Sequence, residues 1–273
     1  MPAMSDPHLL VDVEDGVAVV TMNRPERMNA MTPEMVVRMA EAWTTVAADP
    51  SVRVAVVTGA GEKAFTVGAD LGRLIPLLTG ARAPDDEWDE AMLAEPRLLA
   101  QALMRTTEFS IPVIAAVRGF ALAGGTELAL ACDLRVAGDN SQFGLTEVAR
   151  GIIPAMGSLA RLPRQIPYAR AAEIVLIGDR IPAAEAMAMG LLNRVVPAAE
   201  VLEVAMGLAR RMAENGPLAM RKAKEAMVRS SGRSLEEAFK IENECARAVM
   251  ASQDAREGPR AFMEKRKPQF TGQ

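Results

Sequence analysis

Histidine and cysteine are nearly absent from this chain. One histidine, His8, and two cysteines, Cys132 and Cys245, are all that 273 residues contain. Cysteines so far apart exclude both the clustered ligand sets of zinc sites and a disulfide framework. Both are expected as small buried hydrophobes in a reducing cytoplasm. His8 falls in an N-terminal stretch expected to be mobile, which removes it as a catalytic base. Tyrosine is equally scarce: Tyr168 has Ala172 four residues on, where a short-chain reductase needs lysine. A basic excess is missing too, since 31 Lys and Arg face 35 Asp and Glu for a net charge of −4. With the signs interspersed, no cationic face for nucleic acid is expected. No apolar run reaches the roughly 20 residues that span a bilayer, so no membrane partner is expected. Positions 1–14 lack the layouts of a signal or transit peptide.

What the chain has in quantity is apolar surface, 50% of residues, enough for one large domain or a domain with an appendage. Val17–Met22 reads as a strand closing on the turn Asn23-Arg-Pro25. Thr32 before Pro33 is a helix N-cap, and the helix runs through Trp43 to a stop at Asp49-Pro50. Further strands are expected over 52–58, 111–117 and 134–137, with an apolar helix around Glu127. This cadence predicts a layered α/β domain over 1–196. Beyond it, Val201, Val204, Ala205, Leu208 and Met212 recur at helical spacing, and Ser234-Leu-Glu-Glu237 is a capping box, so 197–273 reads as helical. Residues 72–108 carry the least pattern, with an acidic, flexible turn expected over 83–89. The strand entering Gly59-Ala-Gly61 imitates a dinucleotide fold, but no third glycine opens a helix there.

Two carboxylates stand out. Glu127 follows Ala121-Leu-Ala-Gly-Gly-Thr, and Glu147 follows Ser141-Gln-Phe-Gly-Leu-Thr. A carboxylate among so many apolar neighbours is costly to bury without compensation, and a pair of them suggests a place where a proton is moved.

Five blocks in order resemble the crotonase, or enoyl-CoA hydratase/isomerase, superfamily. They are Asn23-Arg-Pro-Glu-Arg-Met-Asn-Ala30, Lys63-Ala-Phe-Thr-Val-Gly-Ala-Asp-Leu71, Gly119-Phe-Ala-Leu-Ala-Gly-Gly-Thr-Glu127, Phe143-Gly-Leu-Thr-Glu147 and Ala261-Phe-Met-Glu-Lys-Arg-Lys-Pro268. The resemblance implies a spiral core of repeated ββα units, a C-terminal helical trimerisation region, and a homotrimer or a hexamer of two trimers. It implies an acyl-CoA thioester as substrate, with coenzyme A part of that substrate and no separate cofactor or metal. The amides of Ala69 and Gly124 would form an oxyanion hole, Gly124 lying where a helix N-terminus favours an anion. Glu127 would hold and activate water, and Glu147 would deliver a proton to carbon two. Coenzyme A would run along Arg27, Met28 and Ala30, continue past Ala64, Val67, Gly68, Asp70 and Leu71, and meet Phe262 and Lys265 from a neighbouring subunit. Thr146 stands where hydratases usually have proline, and Met156 and Leu159 enter a loop that is often glycine-rich. An isomerase using Glu147 alone and a non-catalytic acyl-CoA-binding protein are the alternatives to a hydratase.

Overall fold

The computed structural model describes residues 6–105 and 109–273. Strands β1 (Leu9–Glu14) and β2 (Val17–Met22) pair as a hairpin across Asp15-Gly16, both at positive φ (51° and 77°), the turn that suits a right-twisted ribbon. The expected mobile start is therefore tied down from His8 onward. His8 Nδ1 lies 2.8 Å from Thr32 Oγ1 and 3.0 Å from Glu34 Oε2. Positions 1–5 of that stretch lie outside the described residues.

Helix α1 (Pro33–Ala48) begins as expected, with Thr32 Oγ1 accepting from Met35 N. Strands β3 (Val54–Gly59) and β4 (Ala64–Thr66) follow, and Gly61 leads into β4 rather than into a helix. Three short helices, α2 (Leu74–Leu78), α3 (Glu87–Ala94) and α4 (Leu98–Ala102), occupy the least patterned stretch. Hydrogen bonds and ion pairs hold its acidic turn, expected from the sequence to be flexible. Asp86 caps α3 through Asp89 N, and the fully buried Asp89 accepts from both terminal nitrogens of Arg82 at 2.5 and 2.9 Å. Two cations, Arg73 and Arg82, neutralise what reads as a repelling run. The last three positions of the stretch, 106–108, lie outside the described residues.

Next come β5 (Val113–Val117), β6 (Phe120–Leu122), α5 (Gly124–Ala131), β7 (Leu134–Gly138), β8 (Gln142–Gly144), α6 (Ser158–Gln165), α7 (Tyr168–Ile177), β9 (Ile181–Pro182), α8 (Ala183–Ala188) and β10 (Arg194–Val196). One sheet has the order β1-β2-β3-β5-β7-β10, parallel from β2 onward; the other is β4-β6-β8-β9. The pairs β3/β4, β5/β6 and β7/β8 each give one strand to each sheet, the ββα spiral that the resemblance implies. The larger sheet is covered on both faces, so β3 is buried throughout. Ala55 and Val57 join the cluster with α1, while Val54 and Val56 meet Val201, Ala205 and Ala209 of α9 (Val201–Ala213).

Beyond α9, α10 (Pro217–Ser230) and α11 (Leu235–Met250) form a helical hairpin opened by the Ser234/Glu237 capping box, followed by α12 (Asp254–Met263). Met227, Leu235, Phe239 and Met250 are exposed on these helices. The C-terminal tail is fastened back: Arg53 donates to the carbonyls of Ala213 and Phe270, and Asp254 accepts from Thr271 N and Gly272 N. No described helix is long and apolar enough to cross a membrane. Cys132 and Cys245 are both buried and unpaired, and burial pushes the Cys132 thiol up to about 12.

Candidate active site

Two tight turns meet at the centre of the smaller sheet. Between β6 and α5, Ala123 adopts φ 51° and ψ −122°, a conformation costly for any residue with a Cβ, held by its N–H bonding Gly144 O at 2.8 Å. That turn starts α5 at Gly124, whose amide, as the first of a helix, has no intrahelical acceptor. The second turn follows β4. Gly68 (φ 86°) packs so closely that an added Cβ would lie 3.0 Å from Gly124 N and 3.0 Å from Ala123 Cβ. Met31 N bonds Gly68 O and Asp70 N bonds Met31 O, so the chain pairs on either side of Ala69 while the Ala69 amide bonds no described residue. Ala69 and Gly124 thus sit on abutting turns and both line the same cleft.

A buried clamp fixes this arrangement. Asn29 is fully buried; its Nδ2 donates to Ala60 O and Ala64 O, and its Oδ1 accepts from Arg24 N. Thr66 Oγ1 donates to Asn29 O and accepts from Gly68 N. Arg24 bonds Ala30 O at 2.7 Å and Asp70 Oδ2 at 3.0 Å.

Glu127, on the first turn of α5, is 3% exposed, and Glu147, at the start of a single 3-10 turn, is 7% exposed. Their surroundings differ sharply. Oε1 of Glu127 accepts from Met156 N (2.7 Å), Ser158 Oγ (2.8 Å) and Ser158 N (3.3 Å). Burial pushes this carboxyl up, against those bonds and the charge of Arg161. Oε2 of Glu147 is buried with no hydrogen-bond partner among the described residues. Burial, with the charge of Glu127 adding to it, pushes Glu147 up to about 7.

Both carboxyls open on a cleft of about 390 Å³ whose walls include Met31, Leu99, Leu103, Leu122 and Met156. Of the residues singled out in the sequence, Met28, Val67, Ala69, Leu71, Gly124, Glu127 and Glu147 line it together. Arg27, Ala30, Ala64, Gly68 and Asp70 are not in the lining: Arg27 is exposed, and the carbonyls of Ala30, Ala64 and Gly68 and the Asp70 carboxylate already hold internal bonds. Phe262, 83% exposed, and Lys265, just past α12, are not part of the cleft lining within one chain. Reasoning from sequence misses Asn29, Arg24, Thr66 and Ser158, polar residues of loops or element ends that read as solvated. Met156 and Leu159 part company: Met156 lines the cleft and donates to Glu127, and Leu159 does neither.

The sequence profile described as enoyl-CoA hydratase/isomerase matches residues 12–273. An enoyl-CoA hydratase of Mycobacterium tuberculosis is 40% identical over 266 residues, covering 97% of each chain. The (E)-benzylidenesuccinyl-CoA hydratase of Thauera aromatica is 37% identical over 262 residues, covering 96% of this chain and 98% of that one. Among solved structures, an enoyl-CoA hydratase from Mycobacterium tuberculosis superposes with a TM-score of 0.88 at 38% identity, over 98% of this chain and 100% of the other. With the likeness running through sequence and fold alike over nearly the whole length, this chain belongs to the enoyl-CoA hydratase/isomerase family, the crotonase superfamily that its glycine-rich blocks resemble.

Proposed function

We propose that this chain adds water across the double bond of a trans-2-enoyl-CoA thioester, holding the resulting enolate in an oxyanion hole made by the amides of Ala69 and Gly124. The observation that carries this is the contrast between the two carboxyls: Glu127 fixed by three donors, Glu147 buried with a bare oxygen. Pairs of titratable groups in such different surroundings divide acid and base roles. Oε2 of Glu127, which accepts none of those bonds, takes a proton from water as its oxygen bonds carbon three. Glu147, whose carboxyl burial pushes up to about 7, delivers a proton to carbon two. Charge developing on the thioester oxygen meets two preorganised N–H donors, each typically worth roughly 2.7–4 kcal/mol. The steps use no cofactor beyond the coenzyme A of the substrate.

Coenzyme A follows Arg27, Met28 and Ala30 and the segment from Ala64 through Val67 to Leu71, with Phe262 and Lys265 supplied by a neighbouring subunit. The exposed apolar residues of α10 and α11 support 197–273 as the assembly region of a homotrimer or hexamer and 1–196 as the acyl-CoA core, although α9 is seated on the core sheet. Two unpaired buried cysteines support a reducing, cytoplasmic setting.

The test is loss of conjugated-enoyl absorbance over a chain-length series of trans-2-enoyl-CoA esters. Wild type turns over, and Glu127→Gln and Glu147→Gln each lower kcat about 10²-fold or more. An isomerase relying on Glu147 alone retains its activity in Glu127→Gln, and that result overturns the hydratase.

A further inference from the structure

Oε1 of Glu127 is crowded with donors. Two are backbone amides, Met156 N at 2.7 Å and Ser158 N at 3.3 Å, which any side chains at those positions supply. The third depends on residue type: the hydroxyl of Ser158, wholly buried, at 2.8 Å. A hydroxyl has one proton to give. The other oxygen in its reach, Pro154 O at 3.3 Å, is more distant and uncharged, so the carboxylate is the favoured acceptor. Three donors converging on Oε1 leave no space there for a proton of its own. When Glu127 is neutral, its proton sits on Oε2.

We propose that Ser158 is a positioning residue that keeps Oε1 of Glu127 a permanent acceptor, confines the exchangeable proton to Oε2 and favours the carboxylate form. Its kinetic consequence rests on the hydratase reading; its effect on the protonation of Glu127 does not.

The charges facing Glu127 are few. Arg161, one turn along α6 from Ser158, favours the carboxylate, but its Nη2 donates to Met104 O at 2.6 Å. Glu147 lines the same cleft and is itself pushed up by the charge of Glu127, and Arg150 and Arg180 complete the charged groups of that lining. Arg164 of α6 is exposed and bonds Ala160 O. Strands β4 and β6, which pack on α5, carry no ionisable side chain, and the Cys132 thiol that follows α5 stays protonated. The Ser158 hydroxyl is therefore the one side-chain donor to Glu127 among the described residues.

The test reads protonation directly. The infrared carbonyl stretch of protonated Glu127, assigned by its loss in Glu127→Gln, is titrated in wild type and in Ser158→Ala. Loss of a hydrogen bond to a charged group raises the midpoint in Ser158→Ala by about one pH unit or more. In parallel, kcat on an enoyl-CoA ester falls roughly ten-fold with KM little changed, and the acidic limb of the rate profile moves with the infrared midpoint. An unmoved midpoint in a folded Ser158→Ala overturns the proposal. Should Ser158→Ala fail to fold, Ser158→Gly removes the same hydroxyl, keeps both amides, and is read the same way. A wild type that hydrates no ester defeats the hydratase reading, while the infrared shift still decides the role of Ser158.

Discussion

Glu147 couples activity to stability. Its folded-state value, about 7, lies above the ordinary 4.5, so the folded chain holds this proton more tightly than the unfolded chain does. The stability associated with that proton is fully present below about 4.5 and is lost as pH rises toward 7, because the folded state must then bury a carboxylate whose Oε2 has no partner. Glu147→Gln, uncharged throughout, should melt at a higher temperature than wild type at pH 8 and close to it at pH 5, measured by thermal unfolding across that range. On the proposed mechanism the same substitution removes the proton donor, so the more stable protein should be the slower one. Both glutamates are legible in the sequence because a carboxylate amid Leu, Ala and Gly has few structural uses. Asn29 and Ser158 are not legible: one is a polar residue of a loop and the other opens a helix, and only the tertiary fold, by burying each against carbonyls or a carboxylate, distinguishes it from a solvated one.

At the level of elements, the turn between β6 and α5 holds its aim through strain. Ala123 at φ 51° and ψ −122° costs about 1–3 kcal/mol. Ala123→Gly should therefore raise stability to denaturant by about 1 kcal/mol, since glycine's entropy offsets part of the relief, while kcat falls because the Gly124 amide is less firmly directed. Gly68→Ala should lower both. Its Cβ, 3.0 Å from Gly124 N at a φ of 86°, displaces the donor, and kcat should drop about 10²–10³-fold with destabilisation visible in the same melts. Strands β2, β3, β5 and β7 are readable as apolar runs ending in Gly, Asn or Asp. Strand β1 is not, because it lies at the sheet edge with only Leu9 buried and owes its place to the Asp15-Gly16 turn and to β2. Asp89 defeats local reading for a related reason, since its counter-charge, Arg82, makes an acidic run into a buried ion pair.

For the whole molecule, Met227, Leu235, Phe239 and Met250 are exposed on the hairpin of α10 and α11, and Phe262 and Met263 on α12, the apolar surface that the proposed assembly would cover. Phe239→Asp should shift the sedimentation profile toward smaller species. If Phe262 and Lys265 complete the nucleotide site of a neighbour, KM for the CoA ester should rise at the same time. A variant that stays fully assembled with unchanged KM removes Phe239 from the interface.

The spiral also bears on how this site comes into being. The Ala69 amide follows β4, the Gly124 amide follows β6 and Glu147 follows β8, three neighbouring parallel strands that no short connection can pair. None of these groups can find another through local structure, so loop-closure entropy must be overcome twice before the three converge. The reactive centre therefore exists only where the spiral is complete: the helices and the first hairpin by themselves would hold the same side chains and have no site.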